Sequence, residues 1–144
     1  MFRGNVPAKI DEKGRLKVPT PFRAGLGKGA CYVTSLEGDC VRVYAMAEWT
    51  KVERKLAKVP STHPAKQKFM DRVNYYGQEA SVDNQGRILI HGLLRESASM
   101  TGEVAVLGQH TYLEIWNDKL FVERKLKGQT LTREDYESLA SFGI

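Results

Sequence analysis

The segment Ala8 to Arg23, AKIDEKGRLKVPTPFR, returns 72 residues later as Ala80 to Arg95, ASVDNQGRILIHGLLR. Ala8/Ala80, Asp11/Asp83, Gly14/Gly86, Arg15/Arg87 and Arg23/Arg95 are identical in the two copies. A second echo follows in the same order, VERKL at Val52 to Leu56 and again at Val122 to Leu126. Between them the likeness fades: Cys31-Tyr32-Val33 answers Val104-Ala105-Val106, and Val41-Arg42-Val43-Tyr44 answers Leu113-Glu114-Ile115-Trp116. An internal period constrains the architecture before any single element is assigned, because each copy is one supersecondary unit that needs its neighbour to bury its apolar face. At 144 residues the chain suits two small halves sharing one core.

In the first copy Val6, Ala8 and Ile10 alternate with Asn5, Pro7 and Lys9, and Leu16 and Val18 alternate with Arg15 and Lys17. That is the period of a half-buried strand on each side of a turn. A one-residue slip would send the apolar set to solvent, so the faces set the register. Pairing Ile10 with Leu16 and Ala8 with Val18 places Asp11 opposite Arg15 and Lys9 opposite Lys17, with Glu12, Lys13 and Gly14 as a three-residue loop. Such a loop ends in a residue of positive φ, which Gly14 adopts without steric cost. The second copy obeys the same register, with Asp83 opposite Arg87 and Gly86 closing the loop. Each signature is therefore expected to be a hairpin tip with a cross-strand Asp/Arg ion pair. A purely structural role would account for that pair, but not for Lys9, Lys13, Arg15 and Lys17 gathered on one polar face, where they repel one another. The cluster points to a polyanion.

A short helix is expected after each hairpin, with Thr20 capping Pro21 in the first copy and Gly92 to Ala98 in the second. Two strands follow in each half, near Cys31 to Thr34 and Val41 to Ala45, then Val104 to Leu107 and Tyr112 to Trp116. A helix ending in VERKL closes each copy, its apolar positions Trp49, Val52 and Leu56 recurring at helical spacing and Leu120, Val122 and Leu126 doing so less cleanly. Thr62 is placed to cap a helix from about His63 to Tyr76, and Thr132 another that carries Tyr136, Leu139 and Phe142. The segments expected are a first repeat over 1–58, a linker and helix over 59–78, a second repeat over 79–127 and a C-terminal helical tail over 128–144.

Charge is unevenly spread. The first 28 residues hold seven Lys or Arg against two acids, an excess of five that equals the net charge of the whole chain. A basic face on a chain of pI about 9.2 suits a phosphate-backbone binder. No apolar run approaches the roughly 20 residues of a membrane-spanning helix, and MFRGNV lacks the apolar core of a signal peptide. Cys31 and Cys40 lack C-x-x-C spacing and are expected to be free buried thiols of a cytoplasmic protein. His63, His91 and His110 have no metal-ligand spacing with either cysteine. No nucleophile with a general base can be named, so no enzyme, cofactor, metal or small-molecule substrate is expected.

Met1-Phe2-Arg3-Gly4, the twice-used Asp-x-x-x-Arg of Asp11/Arg15 and Asp83/Arg87, and the Gly-Arg-Leu-x-Val-Pro run at Gly14 to Pro19 resemble the MraZ family, over essentially the whole chain. The resemblance implies an α+β fold of two tandem, pseudo-symmetric hairpin and helix repeats of AbrB-like swapped-hairpin type. These would form one compact barrel-like core, with extra helices between the repeats and at the C-terminus. It further implies a nucleoid-associated transcriptional regulator that binds short direct repeats of double-stranded DNA. Its target would lie upstream of its own gene, at the head of a division and cell-wall gene cluster, where it represses. Homo-oligomeric rings presenting arginine-bearing hairpins would do the binding.

On that resemblance Arg15 matches the family's main DNA contact and Arg87 is its counterpart. Lys13 and Lys17 are added from their place on the same face, and Lys9 and Arg3 from the basic N-terminal stretch. Asp11, Gly14, Asp83 and Gly86 are assigned to the turns and ion pairs. The second copy has Asn84, Gln85, Leu89 and Ile90 where the first has Glu12, Lys13, Lys17 and Val18, so the two hairpins are expected to contribute unequally. Two other readings fit the charge: a nonspecific nucleoid-associated DNA binder, and an oligomeric hub for acidic protein partners.

Overall fold

The computed structural model describes residues 1–144. Its first half runs β1 (Phe2–Lys9), β2 (Arg15–Lys17), α1 (Thr20–Leu26), β3 (Ala30–Thr34), β4 (Val41–Ala45) and α2 (Met46–Ala57). After α3 (Pro64–Tyr75), the same order recurs as β5 (Gln78–Ser81), β6 (Arg87–Leu89), α4 (Gly92–Ser97), β7 (Glu103–His110), β8 (Leu113–Asn117) and α5 (Asp118–Phe121). A π-helix over Val122–Lys127 continues α5, and α6 (Arg133–Ala140) ends the chain. The class is α+β, built on a mostly antiparallel sheet.

Strand pairing crosses between the halves. β1 lies antiparallel to β7 from Phe2↔His110 to Lys9↔Glu103, β3 pairs with β5 from Ala30↔Ser81 to Val33↔Gln78, and β4 pairs with β8. The resulting six-stranded sheet has the order β1-β7-β8-β4-β3-β5. β2 and β6 form a separate two-stranded ribbon with Arg15↔Leu89, Leu16↔Ile88 and Lys17↔Arg87. The expected barrel does not close, since β1 and β5 are edges of an open sheet.

This exchange overturns half of the expected hairpin register. Ile10 does face Leu16, as an isolated bridge, but Ala8 stands opposite Val104 rather than Val18. The Val18 N–H donates instead to the Gly86 carbonyl at 2.8 Å, and the Ile90 N–H donates to the Gly14 carbonyl at 3.0 Å. Beyond the tip β1 and β5 find longer partners in the other half, β7 and β3. β1 gains a ladder along its full length with β7, which a three-residue β2 cannot offer.

The turns form as their local chemistry dictates. The Asp11 N–H donates to the Arg15 carbonyl and the Gly14 N–H to the Asp11 carbonyl, at 2.9 and 3.0 Å, with Gly14 at φ +81°. Asp83, Gly86 and Arg87 repeat this at 2.8 and 3.0 Å, with Gly86 at φ +76°. Asp11 Oδ1 accepts from the backbone N–H groups of Arg15 and Lys13, and Asp83 Oδ1 from those of Arg87 and Gln85, all at 2.9 Å. Those N–H donations, foremost from Arg15 and Arg87, hold both carboxyls below the usual aspartate range. The two glycines also serve as floors. A Cβ at Gly14 would lie 2.5 Å from Arg95 Cζ, and one at Gly86 would lie 2.7 Å from Arg23 Cζ. Each repeated arginine thus lies across the turn of the opposite half. Arg23 Nε also donates to the Val18 carbonyl at 2.8 Å, whereas Arg95 Nε has no partner.

The main core fills the space between the inner face of the sheet (Val33, Val43, Val106, Ile115) and the ribbon with its helices (Leu16, Ile88, Phe22, Leu94). Burying an aliphatic side chain of this size stabilises by about 1.5–3 kcal/mol. On the other sheet face Trp49 of α2 stacks on Tyr32 with ring centroids 4.6 Å apart, and Val73 of α3 joins them. The hydroxyls of Tyr32 and Thr34 donate to the Val73 carbonyl at 2.8 and 2.7 Å, tying α3 to β3.

Three local expectations need correction. Pro64 takes the first turn of α3, so the preceding His63 caps it, its Nδ1 accepting from the Ala65 N–H at 3.1 Å; Thr62 does not. Thr20 is the first residue of α1 and makes no side-chain cap. The VERKL echo returns after 70 residues rather than 72, although α2 and α5 start 72 apart. A two-residue offset turns a helix by about 200°, so the echoes are not equivalent: Leu56 is half-buried, while Leu126 is 58% exposed. Thr132 does cap α6, in a reciprocal box with Asp135.

Gly86→Ala is expected to lower the free energy of unfolding by at least about 1–2 kcal/mol, the cost of a side chain in left-handed backbone. In urea titrations Arg23→Ala should cost less in that background than in the parent protein. Strict additivity would mean that Arg23 does not rest on Gly86. The lowered Asp11 and Asp83 carboxyls make a stabilising contribution that is present above the unfolded aspartate pKa of about 3.9 and lost as pH falls through their folded values. Asp11→Asn/Asp83→Asn should therefore narrow the difference in urea midpoint between pH 7 and pH 3.

Candidate nucleic-acid interface

Alternation along β2 and β6 fixes what the ribbon shows to solvent. Leu16 and Ile88, each 1% exposed, point into the core. Arg15, Lys17, Arg87 and Leu89 therefore project from the opposite face. The ladder sets Lys17 directly across from Arg87, and Arg15 across from Leu89. Directly opposed side chains on such a pair have Cβ atoms about 4.5–5.5 Å apart, where like charges repel. Three cations and one exposed leucine thus occupy four corners of a narrow patch.

The two arginines are not equivalent. Arg87 Nε reaches Asp83 Oδ2 at 3.2 Å, while Arg15 makes no ion pair, so the expected Asp/Arg bridge forms only in the second copy. The backbone already occupies Oδ1 of both aspartates. Arg87, facing Lys17, gains by turning to the remaining oxygen, whereas Arg15 faces an uncharged leucine. Arg15 keeps its five N–H donors for another acceptor.

The remaining candidates fall in three places. Lys13, in the first loop, lines one depression with Arg15 and Arg87, over Asp11 and Glu12. Lys9 and Lys17 line a second, between β1 and the Pro19 end of β2. Lys9 also stands opposite Glu103, which offsets part of its charge. Arg3 does not join them: it pairs with Gln109 at the far end of β1, roughly 20 Å along the strand from Lys9 at about 3.3 Å per residue.

A third depression lies at the second hairpin tip, lined by Arg23, Lys28, Asp83 and Asn84 among others. Its cations come from α1 and the loop after it, elements of the first half. In the sequence Arg23 stands out only as a repeated position, and Lys28 only as part of the basic N-terminal stretch.

Other reactive groups lie elsewhere and are sequestered. Cys31 and Cys40 are free and buried, and burial pushes both thiols up. Burial also lowers the His91 imidazole. Arg42 and Glu114 pair at 3.4 Å where β4 meets β8, a contact that ties the halves, and the Trp116 indole donates to Glu114 at 2.8 Å within β8. No His, Cys, Asp or Glu side chains gather in threes that could hold a metal ion, and no helix is long and apolar enough to cross a membrane.

The family model described as "MraZ protein, putative antitoxin-like" matches residues 1–72 and 77–133. A protein of Acidobacterium capsulatum named transcriptional regulator MraZ is 46% identical over 147 residues, covering 100% of both chains. One of the same name from Koribacter versatilis is 45% identical over 148 residues, again with 100% of both covered. Another, from Klebsiella pneumoniae subsp. pneumoniae, is 34% identical over 129 residues, 86% of this chain and 84% of that one. With the family model spanning nearly its whole length and full-length relatives of that name, this chain belongs to the MraZ family.

Proposed function

We propose that this protein is a sequence-specific, DNA-binding transcriptional regulator that reads duplex DNA with the outer face of the β2/β6 ribbon. The observation that carries the reading is the unpaired Arg15 on that face, beside Lys17 and Arg87. A two-stranded ribbon fits the major groove, where an arginine fork can take the O6 and N7 acceptors of guanine. Arg15 is assigned base readout. Lys9, Lys13 and Lys17 hold phosphates, and Arg87 divides its role between Asp83 and the DNA. Arg3 lies too far along β1 to share the same groove contact, and is assigned at most a flanking phosphate.

The reciprocal pairing of β1 with β7, β3 with β5 and β2 with β6 supports two tandem swapped-hairpin repeats of AbrB-like type, bounded at 1–58 and 79–127, joined by 59–78 and followed by a tail at 128–144. The naming of the relatives as transcriptional regulators supports regulation of transcription. The finer reading follows the family resemblance: a cytoplasmic, nucleoid-associated repressor of its own promoter, at the head of a division and cell-wall gene cluster. One ribbon discriminates too little sequence alone, since a good bidentate pair contributes about 1–3 kcal/mol. Assembly into a ring over short direct repeats raises the effective concentration of each further contact. The exposed Leu131, Tyr136, Phe142 and Ile144 of the tail offer apolar surface for such assembly.

Footprinting on the DNA upstream of the gene tests the reading directly. Protection at regularly spaced repeats is expected; uniform protection would favour a nonspecific nucleoid protein, and none would favour a hub for acidic partners. In binding titrations Arg15→Ala should cost about 1–3 kcal/mol on the protected duplex and much less on random duplex. Lys17→Ala should weaken both alike and reduce the salt dependence by about one counterion. Equal losses on both duplexes for Arg15→Ala would refute base readout by that residue.

A further inference from the structure

We infer that Lys28 is the phosphate-binding cation of the second hairpin, supplied to it by the first half of the chain. The inference rests on the DNA-binding reading above and extends it to a residue outside the ribbon. At the second tip the hairpin's own charges cancel, because Arg87 is bound to Asp83. The loop positions that hold Glu12 and Lys13 in the first copy hold Asn84 and Gln85 here, and Leu89 stands where the first has Lys17. Taken alone this hairpin has little to offer a phosphate.

The exchange of strands between halves changes that. It carries the end of α1 and its following loop to the second turn, where Arg23 and Lys28 line one depression with Asp83, Asn84 and Gly86. Arg23 is committed, its Nε to the Val18 carbonyl and its guanidinium to the surface of Gly86. Lys28 is not: it is exposed, makes no ion pair, and sits between Gly27 and Gly29. Its counterpart 72 residues on is Met100, which is 2% exposed and belongs to the core. So at this position the hairpin that carries its own lysines is matched by a buried methionine, and the hairpin that lacks them is matched by an uncommitted cation. A flexible ammonium with three donors suits a phosphate oxygen rather than a base edge.

The test compares the full-length chain with Lys28→Ala, Lys28→Ala/Asn84→Lys, Arg15→Ala and Lys58→Ala. Lys58 follows α2 on the opposite side of the sheet and serves as a charge-matched control. Target and random duplexes are titrated across a salt series. Lys28→Ala should weaken binding to both duplexes by the same factor and lower the slope of log K against log salt by about one. Restoring a lysine at Asn84, on the same depression, should recover the slope, and Lys58→Ala should not alter it. An unchanged slope in Lys28→Ala, an equal loss in Lys58→Ala, or no recovery in the double variant would each overturn the inference. In those cases loss of target preference in Arg15→Ala would leave the DNA reading standing. Failure of the unaltered chain to bind either duplex would remove both.

Discussion

Two backbone hydrogen bonds, Val18 N–H to the Gly86 carbonyl and Ile90 N–H to the Gly14 carbonyl, bind each half to the turn of the other. Most of the molecule depends on that reciprocal attachment. Because β2 leaves its own hairpin to lie against β6, Leu16 and Ile88 meet over one core rather than two. Because β1 then lacks a local partner it joins β7, and β3 joins β5 by the same logic, so the six-stranded sheet is assembled from both halves. The identical residues of the two copies acquire distinct tasks in this arrangement. The aspartate closes the turn through backbone N–H groups. The glycine supplies the left-handed conformation and a surface without a side chain. The second arginine, Arg23 or Arg95, covers the glycine of the opposite turn. Only the first arginine of each signature stands on the outer face, and in the first copy nothing in the fold employs it.

What could be read from the sequence divides along the range of the forces involved. The turns were legible because their determinants lie within five residues: an aspartate able to accept backbone N–H groups, and a glycine at the position of positive φ. The inward faces of the strands were legible from alternation alone, and Leu16, Val18, Ile88 and Ile90 are all buried. Partner choice was not. Alternation states that Ala8 and Val18 face the core, but any strand with an apolar face satisfies it, and Val104 is the one that Ala8 meets. In the VERKL echo identical letters do not occupy equivalent places. The two-residue offset rotates the second pentapeptide on its helix, and that segment adopts π-helical geometry while the first remains α-helical.

The candidate site follows the same division. Spacing sets Arg15 and Lys17 on one face of the first hairpin and Arg87 on a second hairpin, and only the ladder between the halves brings the three within cross-strand reach. Arg3 was grouped with them on charge, yet an extended strand holds it at the far end of β1. The cations of the second turn lie about 55–60 residues away in sequence, in the other half, and no local pattern links Arg23 and Lys28 to Asp83 and Asn84. The difference between the two Asp/Arg pairs was equally out of reach. It depends on what stands across the ribbon, lysine for Arg87 and leucine for Arg15, and that register is a property of the assembled fold.

That inequality bears on the geometry of recognition. A ribbon with two identical strands would present the same face in either direction, and two-fold proteins are matched to inverted half-sites for that reason. Here the corners are Arg15, Lys17 and Arg87 against a single Leu89, with Asp83 restraining one arginine and leaving the other unpaired. Reversing the ribbon in the groove would exchange Lys17 with Leu89 and the unpaired arginine with the paired one. The two orientations therefore differ in charge at one corner and in available guanidinium donors at another. On the proposed DNA reading, a surface of this kind has a direction, and successive copies bound in one orientation call for sites repeated in one orientation. On that reading the divergence of the second copy, which leaves the shared core intact, supplies the polarity that sites repeated in one orientation would require and exact duplication would remove.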